Sequence, residues 1–324
     1  MSGRESIRRL TSELGDPRLG NQALLALLAK GDEAVPALAE FLRSSKPSSL
    51  PEPRLLAVEG LSILKGPEAL EALIEVATEN LGEISDPVVR FAEEKVASRA
   101  ALALGDFPGE SRARAALLFL LDQKPLTGTA EALEKVKDFR AIPRLVEWLE
   151  DDFVAEAVRR AIVACGPASV PALLCSVRAK HERYGTETGM SQRRRARTLS
   201  ILCELAAPGS VEGLEDLLGD PVDSVRWNAV RLLLERGSTA QQQKALHGAI
   251  EFLDSADSFT RSECEELLVA HFGLARKIIE GEIDRRLATG ESEENYEPRE
   301  TTLAILYRIF RKGNNARRQA EQKT

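Results

Sequence analysis

The stretch Val211–Gly237, VEGLEDLLGDPVDSVRWNAVRLLLERG, limits what this chain can fold into more than any other. Val211, Leu214, Leu217 and Leu218 recur as one apolar face of a short helix, and Gly219 stands where such a helix ends. Asp220-Pro221 then restarts the chain, with proline in a first turn where its missing N–H costs nothing. In the second helix Val222, Val225, Ala229, Leu232 and Leu233 form one apolar stripe, and Trp227, Val230 and Leu234 form another beside it. A helix apolar over so much of its circumference has to be covered on two sides. One hairpin does not supply that cover, so the unit requires neighbours of its own kind.

Looser copies fill the rest of the chain. Helix starts of the AVPAL kind recur at Ala34–Leu38, Glu68–Leu73, Ala141–Leu145, Ser169–Leu173 and Ser210–Leu214, at spacings of roughly 28 to 41 residues that match helical repeats, apart from one longer interval of 73. Gly or Pro separates helix-period segments throughout, and no run reads as a strand. The expected fold is all-α, a right-handed α-α superhelix of about eight helical hairpins. Residues 1–289 form the array, 290–298 (GESEENYEP) an acidic linker, and 299–324 a last helix with a basic tail expected to fray. Ser44–Pro53 reads as a surface loop, and Gly185–Ser191 interrupts the middle of the array.

Aromatics are only 5% of the chain, so its core has to come mainly from Leu, Ala and Val. A net charge of −7 opposes a dedicated nucleic-acid role, which needs a basic surface to neutralise phosphate. The N-terminus lacks an apolar signal region and no segment reads as a membrane span, so a cytoplasmic protein is expected. Cys165, Cys175, Cys203 and Cys264 sit in apolar helical patterns without a CxxC pair, which predicts buried reduced thiols.

At AVPALAEFL, AIPRLVEWL and GDPVDSVRWNAVRLLLERG the chain resembles HEAT repeats of the bacterial phycobilisome-lyase HEAT-like type, from Asp16 to Ala288. The resemblance implies a HEAT/armadillo-like solenoid. It also implies that the aspartate of D-P-x-x-x-V-R caps a helix while the arginine bridges repeats; Asp220, Val225 and Arg226 match, and Asp86, Val89 and Arg90 match in shortened form. Similar repeats build deoxyhypusine hydroxylases, in which several His-Glu dipeptides hold two irons. Here His181-Glu182 stands alone among three histidines, too few nitrogen ligands for such a site. Alkylpurine DNA glycosylases of this type use tryptophans and an aspartate in a basic groove; Trp148, Asp152 and Trp227 are the corresponding residue types, in an acidic chain with two tryptophans. Bilin lyases share the repeats, but nothing in the sequence marks a chromophore site. No cofactor or metal is expected.

One local feature stands apart. Arg178, Lys180, His181 and Arg183 read as the end of one helix, and Arg193, Arg194, Arg195 and Arg197 open the next. Cations suit a helix C-terminus, whereas arginines at a helix start oppose its dipole. An anionic partner or an internal acidic face such as Glu147, Glu150, Asp151 and Asp152 would supply the counter-charge. Arg193, Arg194, Arg195, Arg197, Lys180 and Arg183 are therefore the candidate partner-binding residues, joined by Trp148, which lies off the centre of the stripe Ile142, Leu145, Val146 and Leu149. The expected function is a non-catalytic scaffold binding a protein partner, with an acidic surface as complement, along the face made by the second helix of each pair. The alternative is an enzyme or enzyme subunit, bilin-lyase-like or nucleic-acid-directed. No small-molecule ligand is indicated.

Overall fold

The computed structural model describes residues 3–255, 257–290 and 301–321. They form helices throughout, apart from one small hairpin. The chain divides into two compact units, 1–172 and 173–324.

In the first unit α1 (Gly3–Glu13) is followed by helices in pairs. These are α2 (Gly20–Leu28) with α3 (Val35–Ser44), α4 (Glu52–Leu64) with α5 (Pro67–Ala77), α6 (Pro87–Leu104) with α7 (Ser111–Leu120), and α8 (Thr127–Val136) with α9 (Ile142–Trp148). Then come α10 (Ala155–Cys165) and α11 (Val170–Arg178), within which the unit boundary falls. The first members α2, α4, α6, α8 and α10 pack successively side by side, while α3, α5 and α7 form a second layer. Proline occupies the first or second position of α3, α4, α5, α6 and α9, where its fixed φ suits the opening turn. Asp86 caps α6 by accepting the Val88 amide at 2.8 Å.

Leu27, Leu38, Leu61, Leu73, Leu104, Leu117 and Leu145 are fully buried between the layers, with alanines filling the close approaches. Where α8 crosses α6, the Gly128 amide donates to Ser98 Oγ at 2.9 Å, and a Cβ there would collide with the Ser98 carbonyl. A buried ion cluster ties α4 and the segment before it to α6. Arg54 pairs with Glu93, both almost wholly enclosed, and with Glu79 at 3.0 Å, while Glu93 also accepts the Ser48 amide at 3.0 Å. The Ser/Pro-rich loop thus lies on the surface but is anchored.

The second unit holds β1 (Glu182–Arg183), β2 (Thr186–Glu187), α12 (Gly189–Leu205), α13 (Asp223–Arg236), α14 (Thr239–Ser255), α15 (Ser258–Ala270), α16 (Phe272–Ala288) and α17 (Thr302–Glu321). Three features correct the sequence reading. The helix expected to run to Tyr184 stops at Arg178, and the chain forms an antiparallel hairpin pairing Arg183 with Thr186. Tyr184 and Gly185 both take positive φ, +57° and +78°, as a two-residue turn matched to strand twist requires. The helix expected over Val211–Leu218 is only a 3-10 turn at Glu215–Gly219, because Gly213 at φ +73° breaks it; Val211, Leu214 and Leu217 stay buried all the same. Finally, α17 does not fray after Phe310 but continues to Glu321. It buries Leu303, Ile305, Leu306 and Ile309 while packing on α15 and α16. The acidic segment 290–298 lies outside the described residues except for Gly290.

One described stretch, Ala155–Arg178, does have the length and mean hydropathy (1.5) of a membrane span, contrary to expectation. A 3-10 turn at Gly166–Ser169, with Gly166 at φ +68°, splits it into α10 and α11, whose Val158, Ala161, Ile162, Leu173 and Val177 are buried.

Candidate functional site

The arginines expected to open a helix are the first candidates; α12 starts earlier, at Gly189, so they stand past its first turn, and the structure turns two of them inward. Arg195 has no exposed surface. Its Nε donates to the Val177 carbonyl at 2.7 Å, its Nη1 to Glu187 Oε2 at 2.8 Å, and its Nη2 to Asp220. Arg194, also buried, donates to the Ala179 carbonyl at 2.5 Å and lies 3.2 Å from His181 Nε2. Lys180 approaches Asp220 at 3.7 Å. Burial pushes the Asp220 carboxyl up, but hydrogen bonds from Arg195 and the Val222 amide, with the charges of Arg195 and Lys180, hold it below the usual carboxylate range. For Arg195 the counter-charge is therefore internal, supplied by Glu187 and Asp220.

Arg194 and Arg195 are thus removed from any contact surface: all three guanidinium nitrogens of Arg195 and both terminal nitrogens of Arg194 are turned to partners inside the protein. Arg193 is exposed and Arg197 half-buried, and both also interact within the protein. Arg183 is exposed at the hairpin, stacked 5.1 Å from the Tyr184 ring.

Trp148 is corrected in the same way, being only 6% exposed. Trp227, at 8%, packs edge-on to Phe252 with centroids 5.4 Å apart, and its Nε1 donates to Glu263 at 3.1 Å. Neither indole offers a face on which a base could stack. Among the described residues no three His, Cys, Asp or Glu side chains gather as a metal would need. Of the two D-P-x-x-x-V-R matches, Arg226 donates to the Asp220 carbonyl at 2.8 Å and stacks 5.5 Å from the Phe252 ring of α14. At the other, only the Asp86 cap is formed as expected, and Arg90 lies half-buried.

An apolar groove in the first unit escaped the sequence reading. It encloses about 570 Å³ along the layer of first helices, with Leu55, Phe91, Leu102, Leu126, Phe153 and Val154 among its lining. Phe91 is 60% exposed and Phe153 95%. Most charges around it are spent internally: Glu94 pairs with Lys124 at 2.7 Å, Glu131 with Arg160 at 3.2 Å, and Asp151 accepts the Phe153 amide at 2.8 Å. Lys95 and Arg99 differ. They follow Phe91 on α6 at successive four-residue steps, both exposed, with Lys95 Nζ 4.7 Å from the Phe91 ring centroid. An aromatic set directly after two aspartates, as in Asp151-Asp152-Phe153, is the signal in the sequence that could have marked the place.

No family model and no curated protein matches the sequence. Among solved structures the chain is similar to the crystal structure of an engineered protein, at 18% identity over 96% of this chain and 98% of that one. The TM-score is 0.32, a likeness too slight to carry an argument.

Proposed function

We propose that this is a non-catalytic helical-repeat protein of the HEAT-like type, whose pairs wind as a right-handed superhelix, and that it binds a partner protein through the groove on its first helices. The second-helix face expected from the repeat pattern is thereby replaced as the docking surface. The observation that carries the reading is the convergence of two largely exposed phenylalanines, Phe91 and Phe153, on one apolar groove. Single exposed apolar side chains are ordinary, and the fold has several. Two aromatics converging on a wall of Leu55, Leu102, Leu126 and Val154 are not, because each leaves surface in water whose burial is worth roughly 1.5–3 kcal/mol per side chain. Aromatics in such seats are the residues that dominate binding energy at protein interfaces.

The test is a photo-reactive amino acid placed at position 153 in the native cell, followed by mass spectrometry of the adducts. A discrete adduct that disappears in Phe91→Ser supports the reading. Adducts indistinguishable from those of a probe at an exposed position far from the groove, such as Glu33, overturn it.

A further inference from the structure

We infer that the groove receives an amphipathic helix of another protein, with its apolar ridge on Phe91 and Phe153 and acidic side chains along the edge that meets Lys95 and Arg99. This rests on the docking reading just given. Lys95 and Arg99 stand one turn apart on α6, an arrangement in which like charges repel. No carboxylate among the described residues pairs with either. Of the carboxylates that line the groove, Glu94 is paired with Lys124 and Glu131 with Arg160, while Asp151, across from α6, accepts the Phe153 amide and keeps its charge. The α6 edge of the groove therefore carries two cations that no carboxylate among the described residues pairs with, in a protein whose net charge is −7. Carboxylates supplied by a partner complete it, with apolar contact alongside.

The occupant's backbone follows from what the groove lacks. Among the described residues the first unit contains no strand, so a partner has no sheet edge to extend and must be recognised by its side chains. A helix presents apolar residues at i, i+3, i+4 and i+7 on one face. Acidic residues four apart along its flank match the four-residue step from Lys95 to Arg99.

The probe is a display library of helix-forming peptides with randomised surface positions, selected on the full chain. Enriched sequences should carry an apolar stripe with Asp or Glu on one flank. A synthetic peptide of the enriched sequence should lose about tenfold or more in affinity, by fluorescence anisotropy, for Phe153→Ser and for Lys95→Glu/Arg99→Glu. Its binding should weaken as salt rises. Replacing its acidic residues by Lys should restore binding to the charge-reversed protein. Arg99→Gln serves instead if the double reversal alters the thermal melt. Peptides that require Phe153 yet show no acidic bias, or bind the charge-reversed protein as well as the parent, overturn the acidic helix and leave the docking reading standing. Enriched peptides indifferent to both Phe91 and Phe153 overturn both.

Discussion

Arg195 and Asp220, 25 residues apart, meet as a fully enclosed ion pair that joins the start of α12 to the start of α13's turn. The same guanidinium holds the Val177 carbonyl at the end of α11 and Glu187 at the foot of the hairpin. One side chain thus links four consecutive pieces of the second unit. The arginine run begins only at the fifth residue of α12, past the first turn where the helix dipole would oppose it, and its third member faces inward toward two carboxylates.

Removing Arg195 should therefore cost stability rather than binding. Arg195→Leu leaves Glu187 enclosed without its counter-ion and Asp220 with only Lys180 at 3.7 Å, a loss of about 3 kcal/mol. Arg193→Gln, at an exposed position whose side chain still interacts within the protein, should cost no more than about 1 kcal/mol. Urea denaturation of the two variants checks this, and equal midpoints would show that the buried pair contributes nothing net. Reversing Arg193, Arg194 and Arg195 together should melt the second unit, so that triple variant does not report on a surface.

Acid should undo the same contacts. The Asp220 carboxyl is held down in the fold against the opposing effect of burial, and so is Glu265, through hydrogen bonds and charges from Arg308 and Lys312. A carboxyl depressed in the folded state stabilises fully above its unfolded value, roughly pH 4, and that contribution fades as pH falls through the folded value. Stability from urea titrations should be flat from neutral pH to about pH 5 and decline steeply below about pH 4. Asp220→Asn should flatten part of that decline.

Much of the fold is legible in the sequence because helix-period stripes and breakers fix local structure. The bounds of α6, from Pro87 to Leu104, are those that Asp86-Pro87 and Gly105-Asp106 announce. What is lost depends on partners far along the chain or on rare backbone conformations. Nothing local to Arg195 points to Asp220. Tyr184 at positive φ is unusual for a bulky residue, so the hairpin it makes with Gly185 reads as a helix end. Trp148 sits off its stripe yet is enclosed, whereas Phe153 is nearly bare. Periodicity ranks faces of one helix and does not say where neighbouring helices stop covering them. The groove was hidden for that reason.

The cysteines should separate by accessibility. Burial pushes the Cys203 and Cys264 thiols up to about 12, and the Cys264 thiol donates to the Ala249 carbonyl at 2.8 Å. Cys165 is half-buried and raised by burial, while Cys175 is exposed, contrary to the expectation that all four are enclosed. Native iodoacetamide labelling at pH 8 should mark Cys175 first and leave Cys203 and Cys264 unmodified until the second unit unfolds. Early modification of Cys264, read by peptide mapping, would show that α15 opens on its own.

The last prediction concerns α17, whose second half reads in sequence as a loose basic tail. Its Gly313 lies against the face of Phe272 at the start of α16, where any Cβ would meet the ring. Phe272 also packs edge-on to Phe310, with centroids 5.6 Å apart, and Lys312 reaches Glu265 at 2.7 Å. The glycine is thus required by packing, even though glycine in a helix interior is intrinsically unfavourable by about 1 kcal/mol relative to alanine. Gly313→Ala should improve helix propensity yet destabilise α17 by about 1–3 kcal/mol through overpacking, since the ring is enclosed and has little room to turn. The readout is amide exchange along 302–321, which should accelerate in Gly313→Ala and recover when Phe272→Leu makes room for the methyl. Exchange slower than in the parent would mean that propensity outweighs the packing at this crossing.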